Sequence, residues 1–348
     1  MRTITIDKPD DWHLHLRDGD AMAAVVGHTA QTFGRAIIMP NLKPPVVRVA
    51  QARAYRARIL NALPAESTFE PLMTLYLTDT TTPDDVVEAA QTEFIKACKL
   101  YPAGATTNSD SGVTDLLGRD DVLAAMAEVG FPLLLHGEVT AHSVDIFDRE
   151  AVYVRDTLPG ILERHPNLRV VLEHITSADA AEWVADGPSR LAATITPHHL
   201  LLNRNDMLVG GIRPHLYCLP ILKTERDRSA LVRAAISGNP KFFLGTDSAP
   251  HPVGAKESEC GCAGVFSAPS ALALYAEVFD EAGALDRLEG FASHFGPDFY
   301  RLPRHSDRVV LDNEPVAVPP LFEFGDEHVR PFRAGGHVQW RVRPLTAT

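Results

Sequence analysis

The chain is poor in cysteine and tryptophan, with four Cys and three Trp among 348 residues. Thiols as scattered as Cys98, Cys218, Cys260 and Cys262 cannot build the dense disulfide framework of a small secreted fold. Cys260-Gly261-Cys262 lacks the paired two-residue spacing of a structural zinc site. The thiols therefore read as reduced, packed or borne on loops, with a third metal site as the lesser alternative. No run of 18 or more apolar residues occurs, which excludes a membrane-spanning helix. Met1 to Asp7 lacks the continuous apolar core of a signal peptide, so a cytoplasmic location is expected. There is no dense Lys/Arg run, and 33 basic against 45 acidic residues leave a net charge of −12. That balance disfavours nucleic acid as a partner but leaves room for a local basic pocket that takes a small anion. No Gly-rich phosphate fingerprint, low-complexity tract or internal repeat beyond the strand–helix period is found.

What the chain does have is apolar material in short, regularly spaced pieces. It is 45% hydrophobic and 22% charged, the balance of a globular protein with a large core. Eight runs rich in Ile, Val, Leu and Phe recur: Ile4 to Leu16 (interrupted near Pro9), Arg35 to Asn41, Pro71 to Thr78, Phe94 to Tyr101, Pro132 to Glu138, Arg169 to Thr176, Leu191 to Pro197 and Lys241 to Ser248. Most of those after the first are apolar on both faces, as buried parallel strands are. Helix signals fill most intervals; the stretch from Asp115-Leu116-Leu117 to Val129-Gly130 has an acidic first turn, apolar spacings of three and four, and a terminal Gly. Eight strand–helix alternations predict an α/β fold, a (β/α)8 barrel, with a doubly wound open sheet as the competing architecture. From about residue 287 prolines break the chain into pieces such as Arg308-Val309-Val310-Leu311, which reads as a C-terminal extension packed on a single barrel domain.

The polar residues at the ends of these runs carry the chemistry. His13, His15 and Arg17 stand two apart on a strand and so project to one side. Two imidazoles and a guanidinium pack poorly in an apolar interior; they suit a metal ion with an anion beside it. Asn41, Lys99, His136, His174 and Asp247 fall at or near the C-terminal ends of later runs, the face on which barrel enzymes build active sites. His13, His15 and Asp247 form one set of metal ligands and His136 and His174 a second, with zinc favoured and manganese or cobalt allowed. Two ions roughly 3.5–4 Å apart need an anionic bridge. A desolvated Lys99 can provide it, because its neutral amine reacts with CO2 to give a carbamate with two oxygens. Glu138 and Glu173 read as orienting neighbours.

These residues lie in six ordered motifs: Asp11-Trp12-His13-Leu14-His15-Leu16-Arg17, Met39-Pro40-Asn41-Leu42, Lys99-Leu100-Tyr101-Pro102, Leu135-His136-Gly137-Glu138, Glu173-His174-Ile175-Thr176 and Gly245-Thr246-Asp247-Ser248-Ala249-Pro250-His251. Together they resemble, over essentially the whole chain, the dihydroorotases of pyrimidine biosynthesis, in the shorter single-function bacterial type of the amidohydrolase superfamily. The resemblance implies two zinc ions bridged by carbamylated Lys99 and by hydroxide. It sets Arg17, Asn41 and His251 around a substrate carboxylate and the backbone of Leu219 and Ala263 on a pyrimidine ring. It also implies reversible hydrolysis of the cyclic amide of dihydroorotate to N-carbamoyl-L-aspartate, with Asp247 as base and then acid, and a homodimer. The segment from Tyr101 to Ser109 resembles the family's mobile loop, with Thr106 and Thr107 bonding the substrate. One departure is Gly104, where related sequences carry Asn; a looser lid is expected.

Asp247 could be a helix N-cap, Arg17 a structural ion-pair partner, and Lys99 a solvated or salt-bridged side chain. His28, His142, His165 and His294 read as hydrogen-bonded core residues, and His198 and His199 as either supporting the site or packing a loop. Among functions, a hydantoinase would place a β-sandwich segment before the His-x-His motif, where only twelve residues stand here. A deaminase of this superfamily typically needs one metal and no carbamylated lysine. A catalytically silent scaffold should have lost ligands that this chain keeps.

Overall fold

The computed structural model describes residues 2–116 and 118–344. A first strand, β1 (Thr3–Asp7), is followed by eight parallel strands: β2 (Asp11–Leu14), β3 (Arg35–Ile38), β4 (Glu70–Leu77), β5 (Ile95–Leu100), β6 (Leu133–Leu135), β7 (Val170–Leu172), β8 (Leu191–Ile195) and β9 (Phe242–Leu244). Each of the eight pairs with its sequence neighbour. Just past β9 the chain bonds back to the first of them, Asp247 N to His13 O (2.9 Å) and His15 N to Ser248 O (3.1 Å). Sequential order and this return contact make a (β/α)8 barrel, and the open doubly wound sheet falls away.

Local sequence explains the helices between strands. Thr82 caps the helix Pro83–Ala90, with Pro at its first turn and Asp85 bonding back to the Thr82 amide. The helix expected from Asp115 begins only at Asp120 and ends, as expected, on left-handed Gly130. Asp115 instead accepts the Gly118 amide at 3.1 Å in a local turn that competes with a helix start. Leu117, counted in that expected helix, lies outside the described residues.

The first apolar run is two strands, not one. β1 leaves the barrel and pairs antiparallel with β10 (Arg308–Asp312), which also pairs with the strand Arg341–Pro344. The end of the barrel opposite the strand C-termini is plugged by Tyr300, whose ring stacks on Trp12 at 4.5 Å and 7°. Trp12, Ile37, Leu72, Ala97, Leu134, Val171, Ala192 and Phe243 make this inner layer. Gly296 permits the approach: a Cβ there would stand 1.8 Å from Trp12 Nε1.

Candidate active site

The strand C-termini deliver the polar residues, and irregularities in three places aim them. Between Asp11 and Leu14, β2 carries one residue more than its partner β3, a β-bulge. Simple alternation would let only one of Trp12 and His13 face the barrel axis. The bulge brings Trp12 into the inner apolar layer while His13 meets His174 ring to ring at 4.9 Å. Asp11 satisfies the bulge's amide: its Oδ1 accepts His13 N (3.1 Å) and Thr246 N (2.8 Å), and its Oδ2 accepts Thr246 Oγ1 (2.6 Å). Beyond β7 and β9, His174 and Asp247 adopt left-handed φ of 41° and 44°, uncommon for non-glycine residues and typical of functional sites.

The far ring nitrogens are held from behind. His13 Nδ1 donates to Glu173 Oε2 (2.9 Å), which also accepts Thr194 Oγ1 (2.5 Å). His15 Nδ1 donates to Asn41 Oδ1 (2.9 Å), while Asn41 Nδ2 donates to Thr107 O (3.1 Å) and so fixes the amide. His136 Nε2 bonds Glu138 Oε2 (2.7 Å), which leaves Nδ1 as its other nitrogen. Both glutamates therefore orient imidazoles. In consequence the Nε2 lone pairs of His13 and His15 face one another at 3.3 Å, with Asp247 Oδ1 at 3.4 and 3.2 Å from them. Three acceptors converge with no donor among them, an arrangement that a cation resolves. Lys99 Nζ and His174 Nδ1 are buried nearby and have no hydrogen-bond partner among the described residues. The residues thus fit a metal centre on their own geometry, and His13, His15 and Asp247 form a candidate metal group.

Electrostatics sharpen the picture. Burial pulls the Lys99 amine from 10.5 down to about 8, against the opposing pull of Glu173 and Asp247, so a reactive neutral fraction exists near neutral pH. Burial pushes the Asp247 carboxyl up, while positive charge at His15 and His13 would outweigh it and hold the group at about 2; with both imidazoles neutral, a cation seated among the three would supply that pull. Burial raises Glu173 to about 7.

A narrow cavity opens over this cluster, lined by His15, Arg17, Asn41, Tyr101, Thr106, Thr107, His136, His174, Leu219, Asp247, Ala249, Ala263 and Gly264. Arg17 donates to Pro250 O and His251 Nε2, each at 2.8 Å, and among the described residues no carboxylate pairs with it. The ion-pair reading of Arg17 therefore fails. His251 stands behind Arg17, and its Nε2 lies 3.0 Å from Ala263 O. Thr107 Oγ1 reaches Ala263 O at 3.5 Å, so the loop lies over the cavity. Asn41, expected on a substrate carboxylate, spends its amide here on His15 and Thr107.

Other sequence readings divide. No helix starts at Asp247; the next is Val253–Lys256, which disposes of the N-cap reading. Lys99 is buried, and among the described residues it has no salt-bridge partner. His165 and His294 bond Asp120 (3.1 Å) and Asp7 (3.0 Å). His142, expected in the core, is exposed, because its segment is an irregular turn. His28 is half-buried edge-on to Phe322 and Phe266. His199 is locked between Thr196 Oγ1 (2.7 Å) and Pro220 O (3.0 Å) and does not line the cavity. Cys98 and Cys218 are buried and Cys260 is exposed; all four thiols are free. Sequence reading missed Asp11, Thr194 and Tyr101 as supports of the site. Asp11, inside the first motif, and Tyr101, inside the third, carried a local signal; Thr194 carried none.

Residues 9–304 match the amidohydrolase family, metal-dependent hydrolases, and the chain belongs to it. The chain is 64% identical over 342 residues to the dihydroorotase of Alkalilimnicola ehrlichii, covering 98% of this chain and 100% of that protein. Among solved structures it superposes on the dihydroorotase of Saccharomyces cerevisiae in complex with 5-fluoroorotic acid, with a TM-score of 0.92, 35% identity and full coverage of both chains. The dihydroorotase of Campylobacter jejuni gives a TM-score of 0.89 and 35% identity, covering 98% of this chain and 97% of that one. Within the amidohydrolases the chain falls among the dihydroorotases. Among the described residues no helix is long and apolar enough to cross a membrane.

Proposed function

We propose that the protein opens and closes the ring of dihydroorotate, hydrolysing its cyclic amide to N-carbamoyl-L-aspartate. The observation that carries this reading is the cavity itself: converging metal-ligand acceptors on one wall and, on another, a guanidinium without a carboxylate partner. Dihydroorotate offers the matching pair, an amide to hydrolyse and a carboxylate to anchor.

His13, His15 and Asp247 would hold one zinc ion and His136 and His174 the other, with carbamylated Lys99 between them. The carbamate forms when the neutral amine attacks CO2 and loses a proton, which suits a lysine brought down to about 8. When bound, the ions would lower the pKa of a water and polarise the amide carbonyl. Arg17 would bind the substrate carboxylate through its planar fork, with His251 behind it. Leu219 and Ala263 offer backbone groups to the ring, and Thr106 and Thr107 exclude water from above. Asp247, ionised and at the cavity wall, would accept the proton of the attacking water and deliver it to the departing ring nitrogen. In ring closure the same carboxyl gives and takes the proton in reverse order. A homodimer in the cytoplasm completes the proposal, on the strength of the family resemblance.

The test is ring opening of dihydroorotate by purified protein, beside Asp247→Asn and a chelator-treated sample. Turnover lost in both controls supports the reading. Fully zinc-loaded wild type without turnover would refute it.

A further inference from the structure

Lys256 ends the short helix Val253–Lys256 and is 2% exposed. Among the described residues no carboxylate forms an ion pair with it. Its ammonium donates instead to three backbone carbonyls: Tyr217 O (2.8 Å), Cys262 O (2.7 Å) and Gly264 O (2.9 Å). An ammonium has three donors, so these carbonyls satisfy it fully. An apolar side chain of the same length would fill this space without the cost of burying an unpaired charge. The charge is therefore put to some use.

That use follows from what the three carbonyls belong to. Tyr217 lies two residues before Leu219, and Cys262 and Gly264 flank Ala263; Leu219 and Ala263 both line the cavity. Lys256 gathers carbonyls 262 and 264, while the carbonyl between them is the one that meets the Thr107 hydroxyl (3.5 Å) and His251 (3.0 Å). The same Tyr217 carbonyl accepts the Gly264 amide at 3.0 Å, so the two segments are joined at one point. Gly264 has no slack: with φ of 151°, a Cβ would stand 2.5 Å from Ala249 O.

We propose that Lys256 is a positioning residue whose ammonium ties together the two backbone walls of the substrate cavity and aims the Ala263 carbonyl into it. This rests on the reading that Leu219 and Ala263 contact the substrate ring. Lys256 itself touches neither substrate nor the metal-ligand set. Its removal acts on substrate binding and leaves the chemical step in place.

The test pairs Lys256→Met, which keeps the stem and deletes the donors, with Lys256→Arg, whose planar fork cannot converge on three carbonyls from one nitrogen. Amide hydrogen exchange over residues 257–266 is read in both, beside KM, kcat and zinc content. Lys256→Met is expected to speed exchange at 262–264 and to raise KM about tenfold with kcat within about twofold of wild type. Lys256→Arg should give a smaller rise of the same kind. A folded Lys256→Met variant with wild-type exchange and KM, or with reduced kcat at constant KM, overturns the proposal. If Lys256→Met does not fold, the Arg variant decides: unchanged KM and exchange overturn it. Should wild type open no dihydroorotate, the functional reading fails, and exchange alone judges the tether.

Discussion

Replacing Glu173 by Gln should move stability and metal affinity in opposite directions. Glu173 is 1% exposed, and its Oε2 accepts both His13 Nδ1 and Thr194 Oγ1. Burial raises its carboxyl from 4.5 to about 7. A folded-state pKa above the unfolded one makes the ionised form costly in the fold; the cost is absent below the unfolded value and complete above about pH 7. The displacement corresponds to about 3 kcal/mol. Gln removes that cost but puts an NH2 where Oε1 now has no partner, a loss of about 1–3 kcal/mol. Metal-free Glu173→Gln should therefore be as stable as wild type at pH 8, or more stable by up to about 2 kcal/mol. Metal binding goes the other way. The carboxylate makes His13 a stronger ligand through Nδ1, and losing such a partner typically weakens metal affinity by about 10- to 100-fold. Chelator-stripped proteins would be melted at pH 8 and then titrated with zinc against a competing chelator. Unchanged zinc affinity in a folded variant would refute the argument that Glu173 tunes a ligand.

Other outcomes follow from the same geometry. Arg17→Met should raise KM by about 10- to 100-fold, as loss of one charge-assisted contact of about 1.5–3 kcal/mol predicts, with little change in zinc content; steady-state kinetics and metal analysis check this. Lys256, brought by burial from 10.5 to about 8, faces Cys218, Cys262, Arg17 and Cys260, with the Tyr217 ring 5.7 Å from its ammonium. Its folded-state pKa lies below the unfolded one, so wild type should gain stability relative to Lys256→Met as pH rises from about 8 to 10.5, by at most about 3 kcal/mol; denaturant unfolding of the pair across that range measures it, and a flat difference would contradict it. Gly104 has φ of 73° with nothing within 4 Å of an added Cβ. Asn tolerates that region best among other residues, so Gly104→Asn should fold normally and slow amide exchange in the loop from 102 to 113; equal exchange and turnover would sink the looser-lid expectation.

Much of this architecture was legible in the chain because it depends on local periodicity. Apolar runs at strand length with helix signals between them foretell a barrel, and His, Asp and Lys at the run ends foretell a polar mouth. Errors arose where a local pattern has two tertiary solutions. Ile4 to Leu16 is one apolar run, yet its first half pairs with β10 some 300 residues away and never enters the barrel. Asp115 looks like a helix start until its carboxylate captures Gly118.

The sequence by itself determined the residue types of the site and the strands that carry them. Tertiary structure alone decided how they face one another. The bulge at Trp12–His13 forms because β2 must register with β3 while Asp11 binds Thr246 from the far end of the barrel. Which nitrogen of His13 looks inward is set by Glu173, 160 residues on. The Lys99 ammonium loses its hydration only when the barrel closes around it. Each of these depends on contacts between distant segments, and the physical forces involved (desolvation, hydrogen-bond direction and strand register) have no local signature.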